Sequence, residues 1–173
     1  TQDGWLRLDQ ITSDHYVATP RQISIRAPAS DHSMSTDELA LLAHMIGDGC
    51  ALPSHAVQYT CGERELAEIV ATTASRVFGG AVAPRISAER TWYQVYLAAT
   101  QKLARGRRHP LALWFERLGL WGNRAHEKFV PESVFQQGEP AIAGFLAHLW
   151  STDGYIGFRN SGRMRQPTIF YST

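Results

Sequence analysis

The chain has 173 residues, of which 44% are apolar and 19% charged, and its formal net charge is +1 at pH 7. That length holds one domain with a proper core, or one domain and part of another, and the composition excludes a disordered chain. A near-zero charge balance excludes recognition of nucleic acid by bulk charge and leaves only local basic clusters for that purpose, while no apolar run reaches the roughly 18 residues of a membrane span.

The elements follow in chain order. Residues 1–30 read as short strands: Trp5-Leu6-Arg7-Leu8 alternates, Tyr16-Val17-Ala18 precedes Thr19-Pro20, and Ile23 and Ile25 alternate again. Residues 27–36 are small and polar, which sets a domain boundary there. Ser35 or Thr36 is a good N-cap, with Glu38 in the first turn, for a helix running to Asp48; Gly49 suits a left-handed position past its end. A strand is expected over Val57–Cys61 and a helix over Glu63–Phe78, stopped by Gly79-Gly80. Ala81–Ser87 and Thr91–Ala98 read as a hairpin around Ala88-Glu89-Arg90, and Pro110–Leu118 as a helix with proline early, where it is tolerated. Residues 119–138 read as a loop, Glu139–Thr152 as a helix, and Tyr155–Phe158 and Pro167–Tyr171 as a hairpin turning near Asn160-Ser161-Gly162. Both ends look cut, and no signal peptide is visible at Thr1. Cys50 and Cys61 form neither a CxxC motif nor a disulfide framework, which fits a cytoplasmic setting.

Two stretches share one form. Leu39–Gly49 (LALLAHMIGDG) and Ala143–Gly154 (AGFLAHLWSTDG) are apolar helices ending in Asp-Gly, with Asp48 and Asp153 at their exits. A single helix of this kind is usually no more than a capped end. Duplication at domain-scale separation favours two helices packed side by side, with their acids meeting at one end. Such a pair can share a hard divalent cation. Ala40, Ala43 and Gly47 are small enough to let a second helix approach closely.

At these residues the chain resembles the LAGLIDADG homing endonucleases. Aligned on the acid, the copies are Leu41-Leu42-Ala43-His44-Met45-Ile46-Gly47-Asp48-Gly49 and Leu146-Ala147-His148-Leu149-Trp150-Ser151-Thr152-Asp153-Gly154. The resemblance implies an α+β fold of αββαββα repeats, with the two motif helices at the centre of a pseudo-twofold pair. It also implies Mg²⁺, or Mn²⁺, held by Asp48 and Asp153 with the Gly47 carbonyl beside them. His148 departs from the small residue usual at the helix crossing, and Ile46 and Ser151 replace a frequent acid. His44 and His148 are not equivalent in this alignment and read as packed histidines rather than zinc ligands.

Lys128, in Lys128-Phe129-Val130-Pro131, matches a Lys-x-Ile/Val-Pro segment that precedes the second motif in intein endonucleases. The match implies a catalytic role, such as stabilising charge on the reacting phosphate, although a loop lysine is more often simply solvated. In this family the strands contact DNA. Trp92, Gln94 and Tyr96 share one face, with Arg85 and Ser87 on the partner strand, and this face could read bases. Lys102, Arg105, Arg107 and Arg108 form one basic cluster and Arg159, Arg163 and Arg165 another, both suited to phosphate contacts.

Asp3–Leu8 and Tyr16–Arg21 resemble the stretch of an intein splicing domain that leads into an endonuclease insert. The nearest likeness is to actinobacterial inteins carried by replicative DNA helicases. The resemblance therefore implies a β-rich splicing-domain (Hint) remnant over 1–30, a first LAGLIDADG repeat over 36–135 and a truncated second repeat over 139–173. The implied function is an intein-encoded, metal-dependent endonuclease that makes double-strand breaks at its own insertion site. The implied partners are double-stranded DNA and the host helicase exteins in cis, with no membrane, and the complete protein would be a monomer with pseudo-twofold symmetry. The rival reading is a LAGLIDADG-fold DNA-binding module, or a degenerate insert, without nuclease activity. A third places the chain in a gene catalogued as a helicase, although it contains no G-x-x-x-x-G-K-[ST] phosphate loop.

Overall fold

The computed structural model describes residues 4–16, 33–104, 106–161 and 164–172. Helix α1 (Thr36–Gly47) starts where the sequence places it, at a full capping box. The Ser35 hydroxyl accepts from the Glu38 amide at 3.1 Å, and the Glu38 carboxylate accepts from the Ser35 amide at 2.8 Å. Leu39 through Met45 are all buried, as expected for a helix that is apolar on every side. Strand β1 (Gly49–Cys50) follows at once, then β2 (Gln58–Cys61) and helix α2 (Arg64–Phe78). Helix α2 buries Ala67, Val70, Thr73 and Ala74 along one stripe and stops at Gly79, whose φ of 54° needs a residue without a β-carbon.

Strands β3 (Val82–Ala88) and β4 (Tyr93–Ala99) form the expected hairpin. The four strands make one antiparallel sheet in the order β1-β2-β4-β3. Alternation divides its faces: Tyr59, Val95, Leu97 and Val82 point into the core, while Thr60, Gln94, Tyr96, Arg85 and Ser87 share the opposite face. Helix α3 (Pro110–Arg117) adds Leu111, Trp114 and Phe115 to the core, capped by the His109 ring accepting from the Leu111 amide. The element order from α1 to α3 is αββαββα.

Residues 119–138 are more ordered than the expected loop. They hold a 3₁₀ turn at Ala125–Glu127 and the short helix α4 (Glu132–Phe135). The buried Gln137 accepts from the Met34 amide at 3.0 Å and donates to the Ser133 carbonyl at 2.7 Å, tying the entry of α1 to the entry of the second motif helix. That helix, α5 (Glu139–Asp153), packs on α1 and runs into β5 (Gly154–Ser161), which pairs with β6 (Met164–Tyr171) in a separate two-stranded sheet.

Two expectations are corrected. Trp5–Leu8 is not a strand: residues 8–10 form a 3₁₀ turn, and Trp5 is fully exposed. Local bonds favour the turn, because the Gln10 side chain accepts from the Arg7 amide and Arg7 pairs with Asp9. The strands expected around residues 17–18, 23 and 25 lie outside the described residues. Gly49 is not left-handed; it opens β1, and a β-carbon there would lie 2.6 Å from the Met45 backbone. Among the described residues, no helix is long and apolar enough to cross a membrane.

Candidate functional site

Packing of α1 against α5 brings the two motif ends together. A β-carbon on Gly47 would collide with the Thr152 side chain, so glycine permits the close approach at this point. Asp48 is the residue that ends α1 and Asp153 the last residue of α5, and both are exposed. Partial burial and the neighbouring Asp153 carboxylate push the Asp48 carboxyl above its ordinary value, and the Lys128 ammonium pulls it part of the way back. Beside them opens a cleft of about 570 Å³ lined by Ile46, Gly47, His126, Lys128, Asp153 and Tyr171, among others.

Lys128 is not a solvated loop residue. Its ammonium donates to the carbonyls of Met45 (3.1 Å), Ile46 (3.0 Å), Gly47 (3.3 Å) and Gly49 (2.6 Å). It therefore caps the exit of α1, where helix carbonyls lack intrahelical partners. Loss of water lowers its pKa, against the opposing pull of Asp48, Cys50 and Asp153.

The histidines are packed, as expected, but against each other. His44 Nε2 lies 3.2 Å from His148 Nδ1, and His44 Nδ1 lies 3.2 Å from the Tyr59 hydroxyl. Burial, and then His148, push the His44 pKa down to about 4; burial also lowers His148. Among the described residues, no group of three His, Cys, Asp or Glu side chains is arranged to hold a metal. The carboxylates of Asp48 and Asp153 still suit Mg²⁺, which keeps several waters and is commonly held by one or two carboxylates plus phosphate oxygens, whereas the Gly47 carbonyl expected beside them already accepts from Lys128.

The expected DNA-facing residues fall into two groups. Arg85 lies 4.5 Å over the Tyr96 ring, across the strand pair that the register defines, and Ser87 sits opposite Gln94. Trp92 lies at the turn and is 39% exposed. Gln94, by contrast, is buried and engaged: it donates to the Tyr59 carbonyl at 3.0 Å and accepts from the Thr60 hydroxyl at 3.1 Å. In the basic clusters, Lys102 and Arg159 are exposed, Arg107 donates to Gln101, Arg108 pairs with Glu116, and Arg165 lies over the Phe158 ring at 4.0 Å. Arg105 and Arg163 lie outside the described residues.

Tyr59 and Tyr171 were not singled out from sequence. Each pairs across an antiparallel ladder with the glycine after a motif acid, Tyr59 with Gly49 and Tyr171 with Gly154. The Tyr171 hydroxyl sits 3.2 Å from the Thr152 hydroxyl and lines the cleft. A tyrosine closing the hairpin behind each Asp-Gly was the available signal.

No protein-family model matches the chain. Over its whole length it is similar to proteins named replicative DNA helicase DnaB: 49% identical over 174 residues in Nostoc sp., 47% over 173 in Synechocystis sp. and 47% over 173 in Rhodothermus marinus. The chain spans about a fifth of the length of these curated relatives.

These relatives correct the functional expectation. The proteins matched across every residue carry the name of a helicase, so the reading of an intein-encoded, Mg²⁺-dependent homing endonuclease is set aside. The geometry offers a physical reason: the lysine expected to stabilise a reacting phosphate has its ammonium committed to four backbone carbonyls. The motifs that suggested an endonuclease cover two short helices, whereas the helicase likeness covers the full chain.

Proposed function

We propose that this chain is a DNA-contacting module within a replicative DNA helicase polypeptide. In it, α1 and α5 present Asp48 and Asp153 as a seat for Mg²⁺ or Mn²⁺ against the DNA backbone. The observation that carries the reading is the meeting of these two exposed acids where Gly47 packs on Thr152. The identity to proteins named replicative DNA helicase in Nostoc, Synechocystis and Rhodothermus supports the setting, a cytoplasmic replication protein. Its role there is to contact DNA.

The αββαββα order from α1 to α3, followed by a second helix–hairpin start, supports a LAGLIDADG-type arrangement without assigning nuclease activity. On this reading residues 36–135 form the first repeat, 139–173 begin the second, and 1–30 belong to a preceding splicing-type (Hint) domain. DNA contacts come from Arg85, Ser87, Trp92 and Tyr96 on the open sheet face, and from Lys102, Arg107, Arg159 and Arg165 as phosphate partners.

The test is duplex-DNA affinity, read by fluorescence anisotropy at constant ionic strength with and without Mg²⁺. The wild type should bind more tightly as Mg²⁺ is added. The D48N/D153N variant, which lacks the anionic seat, should be indifferent to the ion. Equal Mg²⁺ dependence in both proteins would sink the assignment.

A further inference from the structure

The carbonyls at the end of α1 are not satisfied in the usual way. A helix commonly closes on a left-handed residue whose amide folds back onto the last turn. Here Asp48 stops the helix at φ −102°, and only its amide returns, to the His44 carbonyl at 3.1 Å. The carbonyls of Met45, Ile46 and Gly47 instead converge on Lys128, joined by that of Gly49. Four oxygens thus surround an ammonium that has three N–H bonds. An all-oxygen cage around a positive charge, next to two carboxylates, is the environment of a hard cation.

We propose that Lys128 is a resident cation of the paired-acid seat and sets how weakly or tightly that seat holds a divalent ion. The inference rests on the reading that Asp48 and Asp153 bind Mg²⁺ or Mn²⁺. The ammonium caps the negative end of α1, lines the same cleft as Asp153 and lies near enough to Asp48 and Asp153 for their charges to act on it, so an arriving ion meets a seat already partly neutralised. The ammonium also occupies the Gly47 carbonyl, the backbone oxygen immediately before Asp48 in sequence. Neutralising Lys128 restores the full anionic field and frees that oxygen. Lys128 is therefore a positioning residue that keeps the seat intact when no ion is present and makes ion binding weaker and more readily reversible.

The experiment measures Mn²⁺ affinity by electron paramagnetic resonance of the free ion, in the complete polypeptide, with D48N/D153N as the blank that cancels ions bound elsewhere. Lys128→Gln should hold the ion at the acid pair about tenfold more tightly than the wild type. Lys128→Arg, which keeps the charge, should stay near the wild-type value. If K128Q loses its fold without metal and saturating Mn²⁺ restores it, the ion has taken over the role of the ammonium, as the proposal requires. Loss of fold that Mn²⁺ does not restore overturns the proposal, as does a K128Q affinity equal to or weaker than wild type. The underlying reading fails separately: the wild type would then bind no more Mn²⁺ than D48N/D153N, whatever stands at position 128.

Discussion

Helix α1 buries seven consecutive residues, Leu39 to Met45, whereas α5, three residues longer and just as apolar, buries only Phe145 and Leu149. Their ends are nevertheless alike: each runs through an acid into a strand whose first glycine pairs with a tyrosine. The difference lies in what surrounds them. On the first side a four-stranded sheet, α2 and α3 close over the helix and hide Tyr59 completely. On the second, among the described residues, there is one hairpin, with Ile156 (70%), Ile169 (63%) and Phe158 (57%) open to solvent. An Asp-Gly helix thus places its acid through local sequence, while its burial depends on the layers packed around it.

The largest expected effects separate the two helices energetically. Leu42→Ala, at a fully buried site, should cost about 2–5 kcal/mol in urea unfolding. Leu146→Ala, at a half-exposed site, should stay within about 0.5 kcal/mol. Equal costs would show that both helices are equally covered and would break the comparison.

Next comes pH. His44 is neutral in the fold, with a pKa near 4 against an ordinary 6.5, so the unfolded chain binds a proton more readily. The stability this contributes is present above pH 6.5 and is lost as pH falls from 6.5 to about 4, to an extent on the order of 3 kcal/mol. His148 adds a slope of the same sign. His44→Gln should remove most of the slope, and a wild-type stability flat across that window would contradict the buried histidine pair.

Gly47→Ala should cost about 1–3 kcal/mol through overpacking against Thr152. A Thr152→Ala background should recover most of that cost in a double-mutant cycle. A cost unchanged in that background would mean that the helices do not touch there. Smallest is Lys102→Ala in the exposed basic cluster, which should weaken duplex binding nearly uniformly and reduce the salt slope by about one. An unchanged slope would remove that cluster from the DNA-contacting surface.

Much of this architecture was legible because its signals are local. Ser35 and Glu38 announce a cap, Gly79 a stop, and the alternation of β4 its two faces. What escaped the sequence depends on distance. Lys128 reaches α1 across about eighty residues, and no local pattern distinguishes a helix-capping lysine from a solvated one. Alternation put Gln94 on the correct face, but not beneath neighbours that use up its amide. Trp5–Leu8 alternates like a strand yet is ruled by short side-chain bonds. The functional reading divides in the same way: the replicative-helicase setting expected from the sequence agrees with the names of the full-length relatives, whereas the endonuclease activity, read from two short motifs, does not.

Anomalous diffraction from Mn²⁺-soaked crystals tests the paired-acid seat most directly. One peak in contact with both the Asp48 and Asp153 carboxylates is expected, absent in crystals of Asp48→Asn. A peak bound to one acid alone, or no ion at this end of the helix pair, would contradict it.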